Sequence, residues 1–166
     1  RAVAEPPDVR VQLLHDQCEL SIGASGLLHQ RGYRKAVGDA PLRETLAAAC
    51  VLATPLLRRL TVAAQQDEEL VVWDPFCGSG VLLLEALAIA LGEPAGFRDR
   101  RFPFAAFPSH SQPEYQGLVD AVELAPHPAL PRLRLLGTDA SGEQVERAQR
   151  NLRRFLRRAR SLAGEG

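Results

Sequence analysis

The sequence predicts an α/β protein with a parallel sheet, preceded by a β-hairpin. Three observations carry this. An apolar stretch, Glu69–Trp73, ends in Asp74-Pro75, passes through Phe76-Cys77-Gly78-Ser79-Gly80 and opens into the helix-like run Val81–Leu91. A second apolar stretch, Leu133–Gly137, ends in Thr138-Asp139 and is again followed by a helical pattern, Ser141–Ala159. Strands alternating with helices of this length imply a parallel sheet. Residues 9–24 instead alternate apolar and polar around His15-Asp16-Gln17, the period-two pattern of a hairpin.

Between these landmarks the elements follow in order. Ser25-Gly26-Leu27-Leu28-His29-Gln30-Arg31-Gly32-Tyr33-Arg34-Lys35 has two glycines and three basic groups, and reads as a loop. Residues 40–60 read as a helix, with Pro41 near its start, Glu44 in its first turn, and Arg58 and Arg59 near its end. Leu42, Leu46, Ala49, Leu52 and Leu56 give it an apolar stripe, and Pro55 is placed to kink it or end it early. Residues 92–131 hold seven of the twelve prolines, with Phe97, Phe102, Phe104 and Phe107. That stretch is too long for an ordinary connection, so it is expected to be an insertion with one short helix around Tyr115–Leu124, pinned to the domain by its phenylalanines. The last helix carries Val145, Ala148, Leu152 and Phe155 on one face, and Arg147, Arg150, Arg153, Arg154, Arg157, Arg158 and Arg160 on the other. The expected organisation is an N-terminal hairpin and basic loop over 1–39, then an α/β domain over 40–166.

Composition bounds the function. At 166 residues, 46% hydrophobic and 24% charged, the chain is long enough for one domain with a core. Its formal net charge is zero, so attraction for a nucleic acid must come from a local patch. Cys18, Cys50 and Cys77 are odd in number and form no C-x-x-C pair, which argues against a disulfide framework and a metal site and favours a reducing, cytoplasmic compartment. Cys18 and Cys50 are expected in the core, and Cys77 to be the small side chain its turn needs. No apolar run is long enough to span a bilayer, so no membrane partner is expected. A start at Arg1 and no methionine suggest a piece of a longer protein.

The turn at 74–80 carries the chemistry. Gly78 and Gly80 let the backbone adopt unusual dihedrals and let a ligand approach closely. The amides opening the following helix point into the turn. The spacing is not G-x-G-x-x-G and no Lys-Ser/Thr pair follows, so neither a dinucleotide fingerprint nor a phosphate-binding P-loop is present. A carboxylate at the strand end repels a pyrophosphate and suits a cation or an amine. S-adenosylmethionine offers both, as a sulfonium and an α-amino group. Asp139, ending the second strand, suits a ribose diol, since two hydroxyls meet two carboxylate oxygens; a surface turn acid that caps the next helix is the plainer alternative. Glu85 is placed equally well facing the turn or facing solvent.

Asp74–Gly80 resembles motif I of the S-adenosylmethionine-dependent methyltransferases in its D-P-x-C-G-S-G form. Together with Ser25-Gly26-x-Leu28-His29-x-Arg31-Gly32-Tyr33-Arg34, Ala40-Pro41-Leu42, and Gly137-Thr138-Asp139 with Ala148 and Asn151, it is similar to the RNA guanine-N2 methyltransferases that pair a THUMP domain with a Rossmann-like domain. Arg100-Arg101-Phe102-x-Phe104 resembles an arginine–aromatic stretch of the same family. The bacterial 23S rRNA guanine-N2 methyltransferases are the nearest likeness. The resemblance implies a Rossmann-like S-adenosylmethionine-dependent methyltransferase fold, here incomplete. Asp74, Pro75, Phe76, Cys77, Gly78, Ser79 and Gly80 would hold the cofactor with Asp139, and Pro41 and Leu42 would close over it. His29, Arg31, Tyr33 and Arg34 would face RNA, either rRNA or tRNA, and a THUMP domain is expected in the parent chain. The family's N-P-P-Y-type catalytic tetrapeptide is absent, and 27 residues follow Asp139. The chain is thus expected to hold the cofactor half of a methyltransferase site. A DNA amine methyltransferase and a non-catalytic RNA- or partner-binding module are the alternatives.

Overall fold

The computed structural model describes residues 7–35, 41–93, 102–122 and 125–162, with side chains to residue 159. Ala40, Phe97, Arg100, Arg101, Leu124 and the Arg160 side chain, all named above, lie outside the described residues. Two compact units emerge: residues 1–28 with 96–123, and residues 29–95 with 124–166. This boundary differs from the sequence reading. The basic segment 29–35 falls in the α/β unit, and residues 96–123 of the expected 92–131 insertion group with the hairpin.

In the first unit, β1 (Val9–Leu14) and β2 (Gln17–Ile22) pair antiparallel. His15 and Asp16 both have positive φ, 48° and 58°, as a two-residue hairpin turn requires. Val9 faces Ile22, Val11 faces Leu20, and Leu13 faces Cys18. Every residue of both strands is nonetheless exposed, so the alternation correctly predicts strands but not a buried face. Cys18 is therefore not a core residue. Phe102 and Phe104 of the insertion pack on each other within this unit. Phe102 stacks on Phe104 with ring centroids 5.1 Å apart, and Tyr115 meets Phe104 edge-on at 5.3 Å. The Phe104 amide donates to Ala24 O at 3.0 Å, joining the insertion to the hairpin's exit. Its short helix, α4, runs Gln112–Asp120, and Ser111 at the N-cap accepts from the Glu114 amide.

In the α/β unit the expected 40–60 helix is two helices. α1 spans Glu44–Ala53 and α2 spans Leu56–Gln66, bent by 57°. Pro55 cannot donate the amide hydrogen that would continue α1. Thr54 Oγ1 bonds Val51 O and accepts from the Leu56 amide, satisfying groups on both sides of the break. Arg58 and Arg59 thus fall in the first turn of α2 rather than at a helix end. Asp67, at φ 57°, closes α2. Cys50 is exposed, against expectation. Among the described residues no single helix is long and apolar enough to cross a membrane.

β3 (Leu70–Asp74) and β4 (Leu133–Gly137) pair parallel, with Asp74 opposite Gly137. α3 (Val81–Ala90) follows β3, and α5 (Gly142–Leu162) follows β4. α3 is apolar on every side except at Glu85 because it is enclosed on two sides. Ala86 and Ala90 join Val51, Leu56, Leu60 and Ala63 in a cluster that also takes the inner residues Leu70, Val72, Leu133 and Leu135. Leu84 and Ala88 join Tyr33 and Phe155 in a second cluster. The other sheet face, with Val71, Trp73 and Leu136, is exposed.

Candidate cofactor site

The glycine turn is held mainly by backbone. Thr138 donates its amide to Asp74 O at 3.0 Å and accepts from the Cys77 amide at 2.9 Å, locking the two strand ends together. The Gly80 amide turns back to Cys77 O at 2.7 Å. Gly78 and Gly80 take φ of 50° and 84°, a region costly for a side chain. At Gly80 an added Cβ would also lie 3.1 Å from that of Ala148 on α5. Cys77 is buried against Gly137, where a Cβ would meet the Cys77 Sγ at 3.1 Å. Burial, followed by the charges of Asp74 and Asp139, pushes its thiol above the usual range, so it is a packing residue and a poor nucleophile.

Both aspartates converge on this turn. Asp74 Oδ1 accepts from the Phe76 amide at 3.1 Å, which orients the carboxylate. Asp139 Oδ1 accepts from the Ser141 amide and Oδ2 from the Gly78 amide, each at 2.9 Å. These two bonds, the Ser141 amide's the larger effect, hold its carboxyl below the ordinary range. Asp139 therefore bridges the glycine turn and the start of α5. Asn151, fully buried on the apolar face of α5, donates to Ser79 O at 3.0 Å. An amide side chain interrupting an apolar helical stripe was the available sign of this anchor.

A cavity of about 390 Å³ opens beside the turn, lined by Pro41, Leu42, Asp74, Phe76, Cys77, Gly78, Ser79, Val81, Leu82 and Gln144. Seven of these were expected from the sequence; Val81, Leu82 and Gln144 were not. Pro75, Gly80 and Asp139 do not line it. A larger cavity of about 630 Å³ runs along β3, between Leu70 and Pro75 and the α1–α2 bend. It shares Asp74 and Leu82 with the first and also holds Arg59 and Thr54, but its wall is mostly apolar, whereas the smaller cavity has the more polar wall and the glycine turn. Among the described residues no cluster could hold a metal ion.

The basic segment is a correction. Tyr33 is 2% exposed, and its hydroxyl donates to Glu85 Oε1. Arg31 pairs with Glu85 Oε2. Arg34 lies 3.3 Å from Glu44 through Nε, close enough for an ion pair but not aligned as a hydrogen bond, and its Nη1 donates to Leu42 O at 2.6 Å. Arg158 on α5 donates to Arg31 O and pairs with Glu93. These side chains turn inward because a charge on the buried face of α3 needs partners, and the loop supplies them. Burial pushes the Glu85 carboxyl up, opposed by the Tyr33 hydrogen bond and by Arg31. Burial and the neighbouring Glu85 also push the Tyr33 hydroxyl far above its usual range. Glu85 thus faces neither the ligand turn nor solvent. His29 is half-buried and makes no side-chain hydrogen bond with a described residue.

This is the architecture of a Rossmann-like methyltransferase domain: a parallel β–α unit, a glycine turn flanked by two strand-end acids, and a pocket at the helix start. Residues 31–158 match the RMKL-like methyltransferase domain model, and the chain belongs to that family. It is 36% identical over 154 residues to the ribosomal RNA large subunit methyltransferase K/L of Allochromatium vinosum, covering 90% of this chain and 20% of that protein. The enzyme of that name from Shewanella sediminis is 32% identical over 149 residues, covering 87% and 20%. Among solved structures, SMU.472 in complex with SAH superposes with a TM-score of 0.68 at 32% identity, covering 90% of this chain and 36% of that one. A Listeria monocytogenes protein described as a predicted N6-adenine-specific DNA methylase superposes with a TM-score of 0.65 at 30% identity, covering 89% and 36%. The chain spans between about a fifth and just over a third of the length of these relatives.

Proposed function

We propose that this chain forms the cofactor-binding part of an S-adenosylmethionine-dependent RNA methyltransferase, acting on the exocyclic N2 amine of a guanosine in rRNA or tRNA. The observation that carries it is the 390 Å³ cavity with Asp74 at one wall and the opening of α3 at another. The cofactor supplies an electrophilic methyl group on a sulfonium. Asp74, oriented by the Phe76 amide, suits the cofactor's α-amino group. The first amides of α3, at Val81 and Leu82, suit its carboxylate. Asp139 keeps a lone pair on each oxygen beyond its two backbone bonds, enough to accept from ribose hydroxyls. Pro41 and Leu42 provide an apolar cover. RNA as substrate is supported by the names of the K/L relatives, and the N2 amine by the family resemblance of the motifs. His29, half-buried, and the exposed Lys35 are the basic-segment side chains left to face RNA. The catalytic groups and a THUMP domain are assigned to the parent protein.

Calorimetry with S-adenosylmethionine tests the site: binding by the chain, lost in Asp74→Ala, supports it, and no binding by the unaltered chain overturns it. A second reading, a DNA amine methyltransferase, is favoured by the Listeria relative. Transfer of labelled methyl groups by the parent protein to rRNA and tRNA, against duplex DNA, separates the two. Label in guanosine N2 supports the first, and label in DNA adenine supports the second.

A further inference from the structure

Pro41 and Leu42 form one wall of the cofactor cavity, yet their own sequence does little to hold them there. They precede α1 outside any regular element. Arg43 at its N-cap makes no side-chain cap (φ −69°, ψ 142°). The tie comes from elsewhere. Arg34, whose side chain is 5% exposed, donates Nη1–H to Leu42 O at 2.6 Å and lies 3.3 Å from Glu44, the first residue of α1. One guanidinium thus grips the chain on both sides of Arg43.

Arg34 is in turn rooted in α3, the helix that the glycine turn opens. Its neighbour Tyr33 donates to Glu85, and Arg31 pairs with the same carboxylate. The two walls of the cavity, the turn and the Pro41–Leu42 lead-in, are therefore joined through a set of buried charges that do not line it. We propose that Arg34 is a positioning residue for the cofactor pocket, holding Leu42 against the glycine turn through its carbonyl, with the Glu44 ion pair adding stability rather than position. The proposal rests on the reading of this cavity as the S-adenosylmethionine site.

The chemistry separates two roles. Glu44→Gln removes the ion pair but leaves the bond from Arg34 to Leu42 O. Arg34→Leu removes both. Arg34→Lys keeps a cation, but its single ammonium cannot reproduce a planar fork that reaches two partners. Calorimetry with S-adenosylmethionine and thermal unfolding, on the unaltered chain and all three variants, read them apart. Arg34→Leu is expected to bind about 3- to 10-fold more weakly, the equivalent of one hydrogen bond. Glu44→Gln is expected to melt earlier but bind within about twofold of the unaltered chain. Arg34→Lys falls between, and decides the matter if Arg34→Leu fails to fold. Unchanged affinity in the arginine variants overturns the proposal. So does equal weakening in Glu44→Gln and Arg34→Leu, which marks a purely structural role. If the unaltered chain binds no S-adenosylmethionine, the cofactor reading itself fails. If it binds, and Asp74→Ala does not, an unaffected Arg34→Leu refutes Arg34's role alone.

Discussion

The glycine turn at 74–80 and the basic segment at 29–35 lie in the same α/β unit and are held by opposite means. The turn is held by backbone hydrogen bonds: Thr138 to Asp74, Cys77 to Thr138, Gly80 to Cys77. Its two aspartates accept from amides rather than from cations. The basic segment is held by side-chain charge, with Arg31 and Tyr33 on Glu85 and Arg34 on Glu44. Backbone ties leave the turn's carboxylates available for a ligand. Side-chain ties engage both arginines of the loop, which brace the domain, and leave the exposed Lys35 outside the network.

The largest expected effect strikes the braced segment. Glu85→Ala leaves Arg31 buried without its counter-charge, a change that costs about 3–5 kcal/mol, to be read by urea unfolding. A loss under about 1 kcal/mol would place Arg31 in solvent and erase the contrast. Next comes the turn: Asp74→Ala should weaken S-adenosylmethionine binding by about 10- to 100-fold, the equivalent of one charged hydrogen bond, with little change in melting temperature. Binding and stability falling together would show that Asp74 braces as Glu85 does. Gly80→Ala should cost about 1–2 kcal/mol by forcing a side chain to positive φ, before the contact with Ala148 is counted. The smallest effect belongs to the exposed Arg147–Glu143 pair on α5, where Glu143→Gln should cost no more than about 0.5 kcal/mol.

Acidity sharpens the same comparison. Burial raises the Glu85 carboxyl above its ordinary value of 4.5, so the folded chain keeps that proton to higher pH than the unfolded chain does. Over that window the folded state binds more protons, and the residue's contribution to stability falls as pH rises. The stability of the unaltered chain relative to Glu85→Gln should therefore decline from pH 4.5 upward, as followed by unfolding at a series of pH values. A relative stability that grows with pH would mean that Arg31 outweighs burial. Asp139 has the opposite sign. Its lowered carboxyl favours the folded state above the ordinary aspartate range, and that contribution is lost as the pH falls through its folded value.

Read as sequence, Asp74-Pro75 and the two glycines disclosed a ligand turn because their meaning is local: positive φ selects glycine, and a strand end presents its acid. The hairpin, the strand–helix units and the break at Pro55 were legible for the same reason. The basic segment was not. Arg31 meets a carboxylate 54 positions away, and its carbonyl meets an arginine 127 positions away. No spacing rule reaches that far, so three basic groups among two glycines read as a loop facing RNA. Cys18 and Cys50 failed similarly, since an apolar register says which face a residue takes and not whether anything covers it.

By itself, then, the sequence determined the elements, the turn and the two aspartates at the strand ends, because backbone sterics and strand–helix alternation act between neighbours. Only the tertiary structure decided that Glu85 is buried, that Arg31, Tyr33 and Arg34 turn inward, and that Arg34 reaches Leu42 at the wall of the pocket. The physical reason is that burying a charge has a cost, which is met by whichever opposite charge the folded chain brings within reach.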